Sequence, residues 1–423
     1  MLQLTTIREN KDHVIARLAV KNFDAKAIVD NIYALDESRR KIQQENDSLL
    51  AEQNQLAKQV GELYKAGKKS EADDLKNKST ALKASTHALG ERLSAVEKEL
   101  HNELVKLPNL PSEKVPRGKT PEENEITHQE GILPALHADA KPHWELTSKY
   151  DIIDFELGVK LAGAGFPVYK GKGARLQRSL INYFLDKATA AGYKEIQPPI
   201  LVNEDSGFGT GQLPDKEGQM YHVGLDNLYL IPTAEVPVTN IFRDVIVKAD
   251  ELPLKLCGYT PCFRREAGSY GKDVRGLNRL HQFDKVEIVQ IQHPDKSYQT
   301  LDEMVEHVSS LLRALQLPFR ILRLCGGDMS FASALTYDFE VYSAAQKKWL
   351  EVSSVSNFET FQSNRMKLRF KNAEGKTQFP HTLNGSALAL PRIVAALLEN
   401  NQSVNGIIIP DAIRSYTGFD SIS

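Results

Sequence analysis

From residue 28 to 63 apolar side chains recur at every seventh position, at Ile28, Leu35, Ile42, Leu49, Leu56 and Leu63, with mostly Glu, Gln, Lys, Asp and Asn between them. A helix with so narrow a stripe needs a partner helix to cover it. The stretch KAGKKSEADD, which contains Gly67, interrupts the repeat, and a second one follows at Leu75, Leu82, Leu89 and Val96, widened by Leu93, Leu100 and Leu104. The two segments predict one antiparallel helical hairpin. A helix of about forty residues is roughly 60 Å long, longer than a small domain is wide, so the hairpin reads as an arm. By composition alone such a stripe more often mediates protein association. Here the hairpin can cover its own stripe, its charges nearly balance, and a sparse basic cluster, Lys65, Lys68 and Lys69, marks the tip.

Pro108, Pro111, Pro116 and Pro121 then fall in a short polar stretch that can continue no helix. This predicts a helical domain over 1–106, a linker or draped loop over 107–125 and a large domain over 126–423. In the large domain, residues 173–191 carry a helical stripe at Leu176, Leu180, Tyr183, Phe184 and Ala188, and residues 298–315 carry another. A last helix is predicted from near 387 to 399. Short stretches such as NLYLIP, KLCGYTPCFRRE, LHQFDKVEIVQI, FRILRLC, TYDFEVYS and WLEVSSVS read as strands. So does EIQPPILVN, confined by Pro198 and Pro199 to an edge or an interface. Strands without regularly alternating helices predict an α+β domain with a mainly antiparallel sheet.

Composition narrows the picture. A chain of 423 residues exceeds one ordinary hydrophobic core, and its 53 basic against 55 acidic residues make any nucleic-acid contact a matter of local patches. Cys257, Cys262 and Cys325 cannot all pair with one another and form no CxxC cluster, which fits a reduced, cytoplasmic protein without a cysteine-rich zinc site. No apolar run reaches membrane-spanning length. Neither GxGxxG nor GxxxxGK[ST] occurs, so a nucleotide would need another kind of site.

Three windows hold candidate chemistry. In CFRREAGSYGKDVRGLNRLHQFDKVE, two strands flank a loop with Gly268, Gly271 and Gly276, and Arg264, Arg265, Lys272, Arg275, Arg279 and Lys285 recur along it. Guanidinium forks beside glycines suit phosphoryl oxygens, although solvated loops collect the same residues. In WLEVSSVSNFETFQSNR, Glu351 and Ser354 could hold Mg²⁺ with phosphate oxygens; a glutamate buried in a sheet needs a partner or ligand, whereas an exposed one needs neither. In HTLNGSALALPRIVAALLENNQ, Asn384, Gly385 and Ser386 read as a turn before an apolar helix with Arg392 as its early charge. That arginine wants an anion, from protein or from ligand.

Together these windows resemble the three signature motifs of class II aminoacyl-tRNA synthetases, and the chain resembles the bacterial-type seryl-tRNA synthetase family over essentially its full length. Motif 1 corresponds to the helix and strand ending in EIQPPILVN, with Pro199 at a dimer interface. Motif 2 runs from Phe263, Arg264 and Glu266 to HQFDKVE, and motif 3 is TLNGSALALPR with Arg392. The seryl family adds a Thr-Ala-Glu element, here Thr233, Ala234 and Glu235, and an N-terminal coiled-coil arm. The third motif departs from the family in having Ala387 and Pro391 where glycines are usual. Pro391 falls near a helix start, where a missing N–H is tolerated.

The resemblance implies an ATP-dependent serine–tRNA ligase with a class II antiparallel sheet and an N-terminal tRNA-binding domain. It assigns Arg264, Glu351 and Arg392 to catalysis. ATP would meet Arg264, Arg265, Glu266, Leu280, Phe283, Glu351, Val352, Ser353, Ser354 and Arg392, and Mg²⁺ would be held by Glu351 and Ser354. L-serine would meet Thr233, Ala234, Glu235, Arg264, Glu287, Asn384 and Ser386. The implied partners are tRNA(Ser), bound through its long variable arm and acceptor end, and a second copy of the chain in a homodimer; tRNA(Sec) is a further RNA by analogy. A relative that passes its adenylate to a carrier protein commonly lacks or reshapes the arm. An inert coiled-coil scaffold would have no use for Arg264, Glu266, Glu287, Glu351 and Arg392 as a set.

Overall fold

The computed structural model describes residues 1–215, 217–266 and 275–423. Gly268, Gly271 and Lys272 of the arginine-rich window lie outside the described residues. The chain forms two compact units, Met1–Ala19 with Phe23–Pro108, and Val20–Asn22 with Asn109–Ser423.

The first unit has two short helices, α1 (Leu4–Glu9) and α2 (Lys11–Val20), and two long ones, α3 (Lys26–Lys65) and α4 (Lys69–Lys106). Every heptad position named above is buried or half-buried, whereas most residues between them are exposed. Lys78 to Glu52 at 3.1 Å and Tyr64 to Asp73 at 2.6 Å fix the antiparallel register. At the tip the Gly67 and Lys68 N–H groups donate to Tyr64 O and Leu63 O, which closes α3. Gly67 has φ +75°, a conformation glycine takes without a Cβ penalty. Apolar periodicity does not reveal Asp36, whose carboxylate is buried against Arg8, Arg39 and Arg40 at 2.8, 3.1 and 3.1 Å.

The second unit is built on an eight-stranded sheet. Its strands are β1 (Glu125–Glu130), β2 (Lys194–Glu195), β3 (Leu254–Phe263), β4 (Gln282–Gln292), β5 (Phe319–Arg323), β6 (Leu335–Ser343), β7 (Lys348–Glu359) and β8 (His381–Ala389), in the order β1-β5-β6-β7-β8-β4-β3-β2. All neighbours are antiparallel except β2 beside β3. The helices Gly171–Ala190, Ser297–Ala314 and Leu390–Asn400 bring Leu180, Phe184, Met304, Val308, Ile393 and Leu397 into one core with Val286 and Ile288 of β4. Lys285 and Glu287, alternating with those residues, face the other way, as the two-residue period of a strand requires.

Two local expectations change. EIQPPILVN is two strands rather than one: β2 lies at the sheet edge, and Leu201–Val202 pairs with Leu228–Leu230 in a separate small sheet. Pro198 and Pro199, having no N–H to give a ladder, separate them. Asn384, Gly385 and Ser386 are not a turn but the middle of β8, paired with Val289, Ile288 and Glu287 on one side, while Asn384 and Gly385 also meet Ser356 and Val355 on the other. Asn-Gly-Ser has turn propensity, but two flanking strands that satisfy its backbone outweigh it. The last helix accordingly starts at Leu390, with Pro391 in its first turn. Among the described residues no helix is long and apolar enough to cross a membrane.

Candidate active site

Strand β4 positions the centre of the site. Lys285 Nζ lies 2.5 Å from Glu287 Oε2 and donates to Thr233 Oγ1 at 2.7 Å, and Thr233 Oγ1 donates to Glu287 Oε2 at 3.2 Å. Lys285 and Glu287 are both buried. Thr233 also accepts from the Glu235 N–H at 3.2 Å, so the Thr-Ala-Glu element wraps its own hydroxyl. Ala234 is buried in a second apolar cluster beneath it. The Glu235 carboxylate accepts from Gln362 Nε2 at 2.6 Å, and Gln362 Oε1 in turn accepts from Thr382 Oγ1 at 2.6 Å.

Burial, then the neighbouring Glu287 charge, push the Glu235 carboxyl up to about 7; the Gln362 hydrogen bond and the Lys285 charge oppose them. Asn384 Nδ2 is buried without a hydrogen bond of normal geometry, yet lies close enough to Glu235 to favour its charge. Ser386 is buried opposite Glu287 across the β4–β8 ladder. Two carboxylates, one ammonium and several short polar groups therefore face one small space. That balance suits a ligand with its own ammonium and a hydroxyl.

The cationic end follows β3. Arg264 is the first residue past that strand; its guanidinium lies 5.2 Å from the Phe283 ring centroid, and its Nε meets Pro232 O at 3.4 Å. Pro232 immediately precedes Thr233, so the two ends of the site are close. The Arg265 N–H donates to Gln219 O. Glu266 has φ +49° and pairs with Arg279 at 3.1 Å. Leu280 and Val352 bury their side chains in the core, and Ser353 Oγ donates to Ser386 O at 2.6 Å.

Arg392 finds carbonyls before carboxylates. Its Nε donates to Asn278 O at 3.0 Å and its Nη1 to Glu351 O at 2.7 Å, with Glu351 Oε2 at 3.6 Å. Glu351 is exposed, with 52% of its side chain accessible, so the cost of burying a carboxylate gives it no special meaning. Its position does. Residues three apart on a regular strand face opposite sides, but Glu351 pairs with Glu340 and Ser353 with Phe339, which leaves Val352 as an extra residue. The bulge brings Glu351 and Ser354 to one face, opposite Glu340 and Asp338.

Asp338 is not singled out by its sequence, because an acid in TYDFEVYS looks like any outward strand position. Its Oδ1 is buried without a partner. Burial, then the Glu351 charge, drive its carboxyl well above the usual range, and a Ser354 hydrogen bond opposes them. Carboxylates, a hydroxyl and an orphaned buried oxygen fit a hard divalent cation. Among the described residues no three His, Cys, Asp or Glu side chains converge as a preformed metal site, so a cation here needs oxygens from its ligand as well.

Comparisons with known proteins match this architecture. Residues 1–111 match the model of the seryl-tRNA synthetase N-terminal domain, and residues 221–401 that of the class II tRNA synthetase core domain (G, H, P, S and T). The chain is 50% identical to the serine-tRNA ligase of Salinibacter ruber over 100% of its own length and 99% of that protein. It is 46% identical to that of Methylacidiphilum infernorum, covering 98% and 99%. The seryl-tRNA synthetase of Pyrococcus horikoshii, solved in complex with ATP, superposes with a TM-score of 0.93 at 31% identity, covering 100% and 99%.

Proposed function

The chain belongs to the seryl-tRNA synthetase family of class II aminoacyl-tRNA synthetases, which activate serine with ATP and transfer it to tRNA(Ser), and on that premise we propose how its residues divide the work. Arg264 holds the α-phosphate and the serine carboxylate in line, Phe283 stacks on adenine, and Glu266 reads the adenine amino edge. Arg392 takes the γ-phosphate. The serine carboxylate oxygen attacks the α-phosphorus; the bond to the β-phosphate oxygen breaks, and pyrophosphate leaves from beside Arg392. No side chain acts as a covalent nucleophile, so acceleration comes from positioning and charge neutralisation. Glu351 and Ser354, with Asp338 behind them, would hold Mg²⁺, which supplies further neutralisation of phosphate charge.

Glu287, Glu235 and Thr233 read the serine ammonium and hydroxyl, with Asn384 and Ser386 closing the pocket. The observation that carries this reading is the buried Lys285–Thr233–Glu287 cluster, whose carboxylate is poised for a hydroxyl donor. Alanine would leave that acceptor unpaired, a strong ground for rejection. In the second step the terminal 3'-hydroxyl of tRNA attacks the seryl carbonyl and AMP departs.

Recognition of the long variable arm falls to α3 and α4, which read backbone shape rather than bases. A homodimer in which one subunit's arm serves its partner's active site, a cytoplasmic location, and tRNA(Sec) as a further substrate complete the proposal. Serine-dependent exchange of labelled pyrophosphate into ATP, followed by charging of tRNA(Ser), tests it. Exchange without charging would confine the proposal to adenylate formation, and no exchange with magnesium and serine present would refute it.

A further inference from the structure

Behind Arg392 lies a polar network, fully buried at its centre, that the activity outlined above does not use. His143 and Glu399 have no accessible side-chain surface. The Leu277 N–H donates to His143 Nε2 at 2.8 Å. A ring nitrogen that accepts carries no hydrogen, so the proton of a neutral ring sits on Nδ1, 2.7 Å from Glu399 Oε1. Glu399 Oε1 also accepts from the His143 backbone N–H at 2.9 Å and from Gln346 Nε2 at 3.0 Å, while Oε2 accepts from Ser343 Oγ. Gln346 Oε1 accepts from Asn278 Nδ2 at 2.9 Å. Two branches therefore converge on Leu277 and Asn278, one through the imidazole and one through the amide. The carbonyl of Asn278 is the one that orients Arg392 Nε.

The approach leaves no slack. Gly276 has φ +67°, and a Cβ there would stand 2.2 Å from His143 Nε2. One residue further back, the Arg275 guanidinium lies 4.9 Å from the Trp144 ring centroid, so His143 and Trp144 together hold the returning end of the arginine-rich segment. A buried carboxylate is costly unless hydrogen bonds compensate it, and those that Glu399 accepts from the His143 backbone and ring also hold that imidazole in one orientation.

We infer that His143, held in one tautomer by Glu399, is a positioning residue that sets the Arg392 guanidinium through Leu277 and Asn278, and thereby tunes binding of the ATP triphosphate without touching it. The inference rests on the assignment of Arg392 to the phosphates. It separates His143 from the serine-binding cluster, with which it shares no hydrogen bond in this network.

The test is a cycle on the full-length protein. Affinity for α,β-methylene ATP with Mg²⁺ is measured by calorimetry, and the KM values for ATP and serine by pyrophosphate exchange. His143→Phe keeps an aromatic ring but removes both the acceptor for Leu277 and the donor to Glu399. It should weaken nucleotide binding by about tenfold, below the roughly hundredfold that a misplacement of about 1 Å can cost in rate, and leave the serine KM within about twofold. His143→Gln, which can still accept from Leu277, should recover most of the loss. In an Arg392→Ala background His143→Phe should add nothing.

Gln346→Leu, at a partly exposed position, cuts the Asn278 branch and removes one donor each from Glu399 and Ser343, but leaves His143 Nε2 to accept from Leu277; it should show a smaller loss with the same dependence on Arg392. It carries the test if His143→Phe does not fold. Unchanged nucleotide affinity in the folded variants, equal damage to serine, or a full effect without Arg392 would overturn the inference. Should Arg392→Ala alone leave nucleotide affinity intact, the assignment of Arg392 fails and the inference falls with it. A weakened Arg392→Ala beside a normal His143→Phe sinks the inference alone.

Discussion

Lys285 and Glu287, two residues apart on β4, form a buried ion pair of 2.5 Å on the face opposite the helical core. Breaking one side of such a pair leaves a charge out of water, at a cost of about 3 kcal/mol. Glu287→Ala should therefore lower stability by about that amount and abolish serine-dependent pyrophosphate exchange. A denaturant titration and an exchange assay check both halves. Near-normal exchange would remove Glu287 from the serine pocket.

Serine binding should depend on pH through Glu235. Its carboxyl is raised from 4.5 to about 7 in the fold, so the native state holds a proton that the unfolded chain has lost between those values. Its contribution to stability is thus complete below about 4.5 and fades as pH rises to about 7. A bound ammonium prefers the ionised carboxylate, so the serine KM should fall with rising pH and level off above about 7. In Glu235→Gln that segment of the profile should be flat. A wild-type profile already flat from about pH 5.5 to 8 would contradict this.

The oxygen-rich face of β6 and β7 predicts a metal phenotype. Chelation should stop exchange and added Mg²⁺ restore it. Glu351→Gln and Asp338→Asn should each raise the Mg²⁺ concentration for half-maximal exchange by about tenfold, the usual range for loss of a ligand or its support. An Asp338→Asn titration indistinguishable from wild type would exclude that buried oxygen from the support of the cation.

The arm separates the two steps of the reaction. Excising residues 46–86 removes matched lengths of α3 and α4 but keeps Asp36 with Arg8, Arg39 and Arg40. Adenylate formation should stay within about threefold of wild type and transfer to tRNA should fall at least about a hundredfold, about 2.7 kcal/mol at 1.36 per decade. Equal losses in both steps, measured by exchange and by charging, would refute the division.

What the sequence determined by itself was periodic or local. The heptad stripe dictated the arm, because an apolar residue every seven can be covered only by another helix. The two-residue alternation around Lys285 and Glu287 put both on one side of a strand whatever its neighbours were. Prolines marked the edge, although not that two separate strands lie on either side of Pro198 and Pro199.

Tertiary structure decided the rest, for reasons no local pattern contains. Asn384–Ser386 became strand because β4 and β7 satisfy its backbone from both sides. Glu351 and Ser354 share a face only through the bulge at Val352, whose register is a property of the β6–β7 pair. Asp338, Glu399 and His143 look ordinary in sequence, since a carboxylate or imidazole gains meaning only when folding removes its water and supplies partners from residues far along the chain.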